Sequence, residues 1–114
     1  MKRDDYHVVV YQLLSYLYRS LKEGTSIQED MIKHDGKLFQ IHEKYWIYIM
    51  EMMIKQEFVS GISVRKVWGV NVAVENIEDV MITPAGIEYL CDDKMIKKAY
   101  DFAKDMLMMV PITL

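Results

Sequence analysis

The chain has 114 residues, of which 52% are hydrophobic and 27% are charged, a composition typical of one globular domain and unlike that of disordered proteins. Fourteen basic residues oppose seventeen acidic ones, giving a net charge of −3, which argues against a strongly basic nucleic-acid-binding protein. The single cysteine, Cys91, excludes an internal disulfide, and the longest apolar run, Met106–Ile112, is too short to span a membrane. We therefore expect a cytoplasmic protein without membrane contact.

Two helices are predicted in the first third of the chain. Helical periodicity extends from Asp4 to Glu23, and Gly24 is placed to end this first helix. Ser26 and Glu29 have the spacing of a capping box and predict a short second helix that ends near 34–36. The first helix is expected to bury Tyr6, Val10, Leu13, Leu14, Leu17 and Leu21 and to expose Gln12, Ser15, Arg19 and Lys22.

The third predicted helix, His42–Glu57, has a narrow polar line on an otherwise apolar surface. The polar line consists of Lys44, Tyr48, Glu51 and Lys55. The apolar arc covers about 220°, which is wider than a helix resting on one surface needs. We expect this helix to be central or to serve an additional interface.

After the third predicted helix, the sequence pattern changes from helical periodicity to the alternation of apolar and polar residues that is typical of strands. Strands are predicted at 58–64 and 78–82, and the segment between them, Arg65–Ile77, reads either as an extension of this hairpin or as a mobile loop. Thr83 before Pro84 predicts the start of a short helix that ends at Cys91. A last amphipathic helix is predicted from Lys94 to Val110.

This order of elements predicts one α+β domain, mostly helical, over residues 1–114. Three helices followed by a two-stranded hairpin are the winged-helix arrangement, in which the third helix faces a DNA groove. Two further helices complete the predicted fold, and residues 92–114 form its C-terminal helix and apolar tail.

Two segments of the sequence resemble a known family. The run Ile41–Ile62 and the run Met81–Leu90, followed by Met95–Ala99, are similar to the YjcQ-like proteins, which are small winged-helix proteins of Gram-positive bacteria and their prophages. The resemblance implies a cytoplasmic winged-helix protein and is compatible with prophage origin. It implies no catalytic residue, because the family has no established enzymatic motif.

Double-stranded DNA is the first partner that the fold suggests. The expected contacts are Lys44, Tyr48 and Lys55 on the third helix and Arg65 and Lys66 in the hairpin. Glu51 lies within the same line and would repel phosphates, or form an ordinary pair with Lys55. The alternative function is therefore a protein interaction module that has the same fold and no DNA contact.

The ten methionines suggest a second kind of contact, because methionine adapts to irregular apolar surfaces. The last helix and tail predict a homodimer interface, or part of the core, at Met106, Met108, Met109 and Ile112. No histidine pair has the spacing of metal ligands on one helix face, and no nucleophile–base pair or glycine-rich phosphate loop is recognisable. We expect neither an enzyme nor a cofactor, and we expect Cys91 to pack as a small hydrophobic residue.

Overall fold

The computed structural model describes residues 2, 4–67 and 71–92, which form an α+β structure dominated by helices. The predicted last helix and tail, and with them the predicted interface residues Met106, Met108, Met109 and Ile112, lie outside the described residues. In chain order the elements are α1 (Tyr6–Glu23), α2 (Glu29–Ile32), α3 (Glu43–Lys55), β1 (Val59–Ser60), β2 (Ser63–Val67), β3 (Asn71–Glu75), a 3-10 turn (Ile77–Asp79), β4 (Met81–Ile82) and α4 (Pro84–Leu90).

Helix α1 is the centre of the packing, and it contacts α3, β4 and α4. Its predicted core residues Leu13, Leu14 and Leu17 are buried. The predicted polar face was partly wrong, because Gln12 and Ser15 are also buried, whereas Leu21 is 48% exposed. Periodicity identifies an apolar face, but the number of neighbours around a central helix decides how many faces are buried.

Helix α2 is shorter than predicted and begins three residues after Ser26. Its N-cap is Gln28, whose side chain makes no capping hydrogen bond. The Gln28 backbone N–H instead donates to the hydroxyl of Tyr16 on α1, at 2.8 Å. This long-range contact fixes the loop before α2, so the predicted capping box does not form.

Helix α3 runs close to its predicted bounds, with His42 as N-cap accepting from the Lys44 backbone N–H. Only one side of α3 is fully buried, and it carries Trp46, Ile49, Met50 and Met53. The central helix is therefore α1, and α3 lies against it. Tyr45, Ile47 and Ile54 on α3 are only partly buried against the core. None of the helices in the described ranges is long and apolar enough to cross a bilayer.

The predicted strand at 58–64 is divided in two by Gly61. Gly61 has φ of 84°, and a Cβ atom at this position would collide with the Asp79 backbone carbonyl, so only glycine fits here. The short strand β1 pairs antiparallel with β4, and Val59 lies opposite Ile82. The predicted second strand, 78–82, begins instead as the 3-10 turn and is extended only at β4.

Between these strands, β2 and β3 form an antiparallel pair in which Val64 lies opposite Val74. The prediction of a hairpin extension in 65–77 is thus confirmed for the paired residues. Both strands contact α3. After β4, Thr83 caps α4 as predicted, because its hydroxyl accepts from the Gly86 backbone N–H at 3.1 Å and Pro84 occupies the first turn.

Candidate functional site

The predicted DNA-contacting residues are all exposed, and they lie on elements that contact one another. We call Lys44, Tyr48, Lys55, Arg65 and Lys66 the α3–hairpin surface. Tyr48 is 53% exposed, although it is a large aromatic residue, and the four cationic side chains are exposed as well. Because β2 packs against α3, helix and hairpin form adjoining parts of the molecular surface.

Two of the four cations on this surface are held by carboxylates. Lys55 Nζ lies 3.3 Å from Glu51 Oε1, one helical turn away, and Arg65 Nε lies 2.8 Å from Glu75 Oε1 across the β2–β3 pair. Within the described residues, the side chains of Lys44 and Lys66 form no ion pair. The four cations and their two carboxylate partners sum to +2, which is modest for a phosphate-binding surface. This charge is also spread out, because Arg65 and Lys66 are neighbours on β2 and neighbouring residues of a strand point to opposite sides.

The beginning of α1 lies beside the exposed side of α3, a neighbour that the sequence patterns did not indicate. The Tyr6 ring meets the Tyr48 ring edge to face, with centroids 6.5 Å apart. The Tyr6 hydroxyl accepts from Gln56 Nε2 at 3.2 Å, and the Tyr45 hydroxyl donates to the Asp4 backbone carbonyl at 2.6 Å. Aromatic side chains therefore connect α1 to the edge of the α3–hairpin surface.

These contacts also bring acidic groups close to the surface. Burial raises the pKa of Tyr45, and the negative charges of Asp4 and Asp5 raise it further. The same two negative charges oppose those of the cations on α3 and limit how strongly this surface can attract a polyanion.

At the N-terminal end of α3, the His34 ring lies close to one backbone carbonyl and two carboxylates. Its Nδ1 lies 3.3 Å from the Ile41 carbonyl oxygen, and its Nε2 lies 3.6 Å from Glu43 and 3.8 Å from Asp35. In the part of the chain that the structure describes, no three His, Cys, Asp or Glu side chains are arranged to hold a metal ion. The His34 contacts instead fix the turn that enters α3.

One sequence interpretation near α4 needs correction. Cys91 is exposed rather than packed, because α4 ends at Leu90 and the cysteine follows the last helical turn. Beside α4, His7 is exposed and its Nδ1 lies 2.8 Å from the Tyr89 hydroxyl. The partner of His7 comes from 82 residues away, a contact that no local pattern predicts.

An apolar depression, the α1–β4 groove, lies on another part of the molecule. Its volume is about 530 Å³. Its apolar lining includes Leu21 and Met81, which are 48% and 51% exposed, respectively. The complete lining is Leu17, Ser20, Leu21, Thr25, Ser26, Ile27, Glu78, Asp79, Val80, Met81 and Ile82. No sequence pattern indicated this groove, because Leu21 has the periodicity of a core residue.

Comparison with known families gives one match that covers most of the chain. The family model described as YjcQ protein matches residues 11–107. The chain belongs to the YjcQ family. The match to the YjcQ model includes the α3–hairpin surface and the α1–β4 groove, so both are parts of the family domain rather than additions to it. Searches of curated proteins and of solved structures give no significant match.

Proposed function

We propose that this YjcQ-family chain is a winged-helix protein that binds duplex DNA and acts in transcription-related regulation. Three helices, α1 to α3, precede the β2–β3 hairpin in the chain, and this order supports the proposal. In a winged helix, α3 would enter the major groove and the hairpin would contact the DNA backbone. We propose that a protein with this function is located in the cytoplasm. The prophage origin compatible with the family resemblance stays a prediction.

One observation carries the proposal: the exposed side of α3 adjoins a hairpin that has its own exposed cations. Lys44 on α3 and Lys66 on β2 are exposed, and neither has a carboxylate partner among the described residues. Tyr48 lies one turn after Lys44 on the same side of the helix and is half exposed. Cations position a protein on phosphates, and a tyrosine hydroxyl can donate to phosphate oxygen.

The ion pairs determine the expected strength of binding. Each phosphate contact changes the slope of log affinity against log salt by about 0.9. With only Lys44 and Lys66 engaged, we expect a slope of about −2, and with Lys55 and Arg65 released from their carboxylates a slope of about −4. Binding of this kind is weak and strongly dependent on ionic strength.

The test is fluorescence anisotropy with a mixed-sequence duplex at low and at physiological salt. Lys44→Ala and Lys66→Ala should each weaken binding and reduce the salt slope by about 1. Lys22→Ala is the matched control, because it removes one exposed charge from the far end of α1. Lys22 lies sixteen residues after Tyr6, the α1 residue that contacts Tyr48, which is roughly 24 Å at 1.5 Å per residue. No binding at low salt, or an equal loss in the control, would contradict the proposal.

The paired cations favour a second function, a protein interaction module without DNA contact. The Glu51–Lys55 and Arg65–Glu75 pairs present alternating charges, and such a surface complements a protein of mixed charge better than a polyanion. The anisotropy experiment separates the two functions. Absence of duplex binding by a folded protein would favour this second function.

A further inference from the structure

The α1–β4 groove has the size and the lining of a small-molecule site. Its volume of about 530 Å³ falls within the range of about 300–1,000 Å³ that is typical of ligand pockets. The buried side chains of Leu17, Val80 and Ile82 form its floor, and the half-exposed side chains of Leu21 and Met81 also line it. Exposed apolar side chains that converge on one depression are typical of a binding site.

The charged residues in the lining of this groove are both acidic. Glu78 and Asp79 line the groove, and its lining includes no lysine, arginine or histidine. Both residues are exposed, and neither forms an ion pair with another residue of the described ranges. The groove therefore carries two negative charges that favour a cationic ligand over a neutral or an anionic one.

The cations at the same end of α1 are engaged by other groups. Lys22 Nζ lies 4.6 Å from the centroid of the Tyr18 ring, and Arg19 Nε lies 3.3 Å from Glu23 Oε1. Neither of these cations belongs to the lining of the groove. They therefore do not neutralise its two carboxylates.

The acidic and the apolar parts of the groove follow one another along the chain. Asp79 ends the 3-10 turn, Val80 is extended, and β4 follows at Met81–Ile82. At about 3.3 Å per extended residue, Asp79 lies roughly 10 Å from Ile82. A ligand of about this length can place its apolar body on Ile82 while its charged end reaches the carboxylates.

We propose that the α1–β4 groove binds a small amphipathic cation, an amine or guanidinium compound with an apolar body. The apolar body supplies most of the affinity, because it removes apolar surface from water. The two exposed carboxylates supply selectivity for charge, since exposed ion pairs are individually weak. The proposal goes beyond DNA binding and does not depend on it, because none of the groove residues belongs to the α3–hairpin surface.

Three compounds of similar shape and different charge test the proposal. The compounds 4-phenylbutylamine, 4-phenylbutanol and 4-phenylbutyrate are titrated into the full chain with ¹³C in its methionine methyl groups. We expect each bound ligand to shift the Met81 resonance, and we expect the amine to bind about three- to tenfold more tightly than the alcohol. The carboxylate should bind most weakly, and Met52 on α3 should not shift. Equal affinity for the three compounds, or no shift at Met81, would overturn the proposal.

Removing the two carboxylates tests the selectivity for charge. Glu78→Gln/Asp79→Asn should lower the affinity for the amine to that for the alcohol and leave the affinity for the alcohol unchanged. Asp4→Asn/Asp5→Asn is the matched control, because it also removes two carboxylates. Asp5 lies sixteen residues before Leu21, about 24 Å along α1. Loss of the preference for the amine in this control would assign the preference to net charge and overturn the proposal.

The apolar part and the competing occupants need their own measurements. Leu21→Gln changes no charge, so it should weaken the binding of the amine and of the alcohol by a similar factor. Analytical ultracentrifugation with and without the amine should give the same mass. A dimer that the amine dissociates would assign the groove to a second copy of the chain and overturn the proposal.

Discussion

The Trp46 indole Nε1 on α3 donates a buried hydrogen bond of 2.9 Å to the backbone carbonyl of Ile32, the last residue of α2. Ile32 is completely buried and Trp46 is 8% exposed. A four-residue helix is too short to be stable by itself. This contact therefore holds the end of α2 against α3.

Replacing this tryptophan tests how much that bond contributes. Trp46→Phe keeps an aromatic ring but removes the donor, which leaves a buried carbonyl without its partner. We expect the free energy of unfolding to fall by about 1–3 kcal/mol, measured by urea denaturation followed by circular dichroism. Tyr48→Phe on the exposed side is the control and should change stability by less than about 0.5 kcal/mol. Equal effects of the two substitutions would contradict the assigned role.

Thr83 connects the start of α4 to the segment that follows α3. Its hydroxyl accepts from the Gly86 backbone N–H at 3.1 Å and donates to the Glu57 carbonyl, and its own N–H donates to the Phe58 carbonyl at 3.0 Å. Thr83→Ala should lower the free energy of unfolding by about 0.5–2 kcal/mol, the usual range for loss of a helix cap. Thr83→Ser keeps the hydroxyl and should retain most of the stability in thermal or urea unfolding. A serine variant as unstable as the alanine variant would argue that the methyl group matters more than the hydroxyl.

The raised pKa of Tyr89 predicts that the protein loses stability at high pH. Burial, with smaller contributions from Tyr6 and Asp92, raises the pKa of Tyr89 to about 12 from the usual 10.0. Because the folded state holds this proton more tightly than the unfolded state, the contribution of Tyr89 is fully present below pH 10 and is lost as the pH rises towards 12. Tyr89→Phe should remove one late phenolate step from the absorbance titration and flatten the fall of stability over this pH range. A titration with the same late step in the variant would contradict the assignment.

Breaking the Glu51–Lys55 ion pair should strengthen the proposed binding to duplex DNA. Glu51→Gln removes the carboxylate 3.3 Å from Lys55 Nζ and frees the lysine for a phosphate. We expect duplex affinity near 0.1 M salt to increase by about five- to tenfold and the salt slope to become steeper by about 0.9. Glu88→Gln, at an exposed position on α4, makes the same charge change as a control. If both variants bind alike, the increase reflects net charge rather than a contact made by Lys55.

The predicted ends of α1 and the predicted start of α4 agree with the structure, whereas the predicted capping box of Ser26 and Glu29 does not form. Gly24 ends α1 with φ of 69°, and Thr83 caps α4 beside Pro84. Each of these signals acts through backbone groups within a few residues, so the local sequence is enough to specify it. The exposure of Lys44, Tyr48 and Lys55 follows in the same way from helical spacing alone.

The surroundings of each element were decided by contacts between residues far apart in the chain. The Tyr16 hydroxyl accepts a hydrogen bond from the Gln28 N–H, and α2 begins only after this residue. The Asp79 carbonyl leaves no room for a side chain at Gly61, and the beginning of α1 lies beside Tyr48. Charge counts also did not reveal that Arg65 pairs with Glu75 across the hairpin. The sequence by itself determined the kinds and order of most elements, because helix caps and periodicity act over short distances. Which faces are buried, which cations are neutralised and where a groove remains were decided by the tertiary structure, because these properties depend on neighbours brought together only by folding.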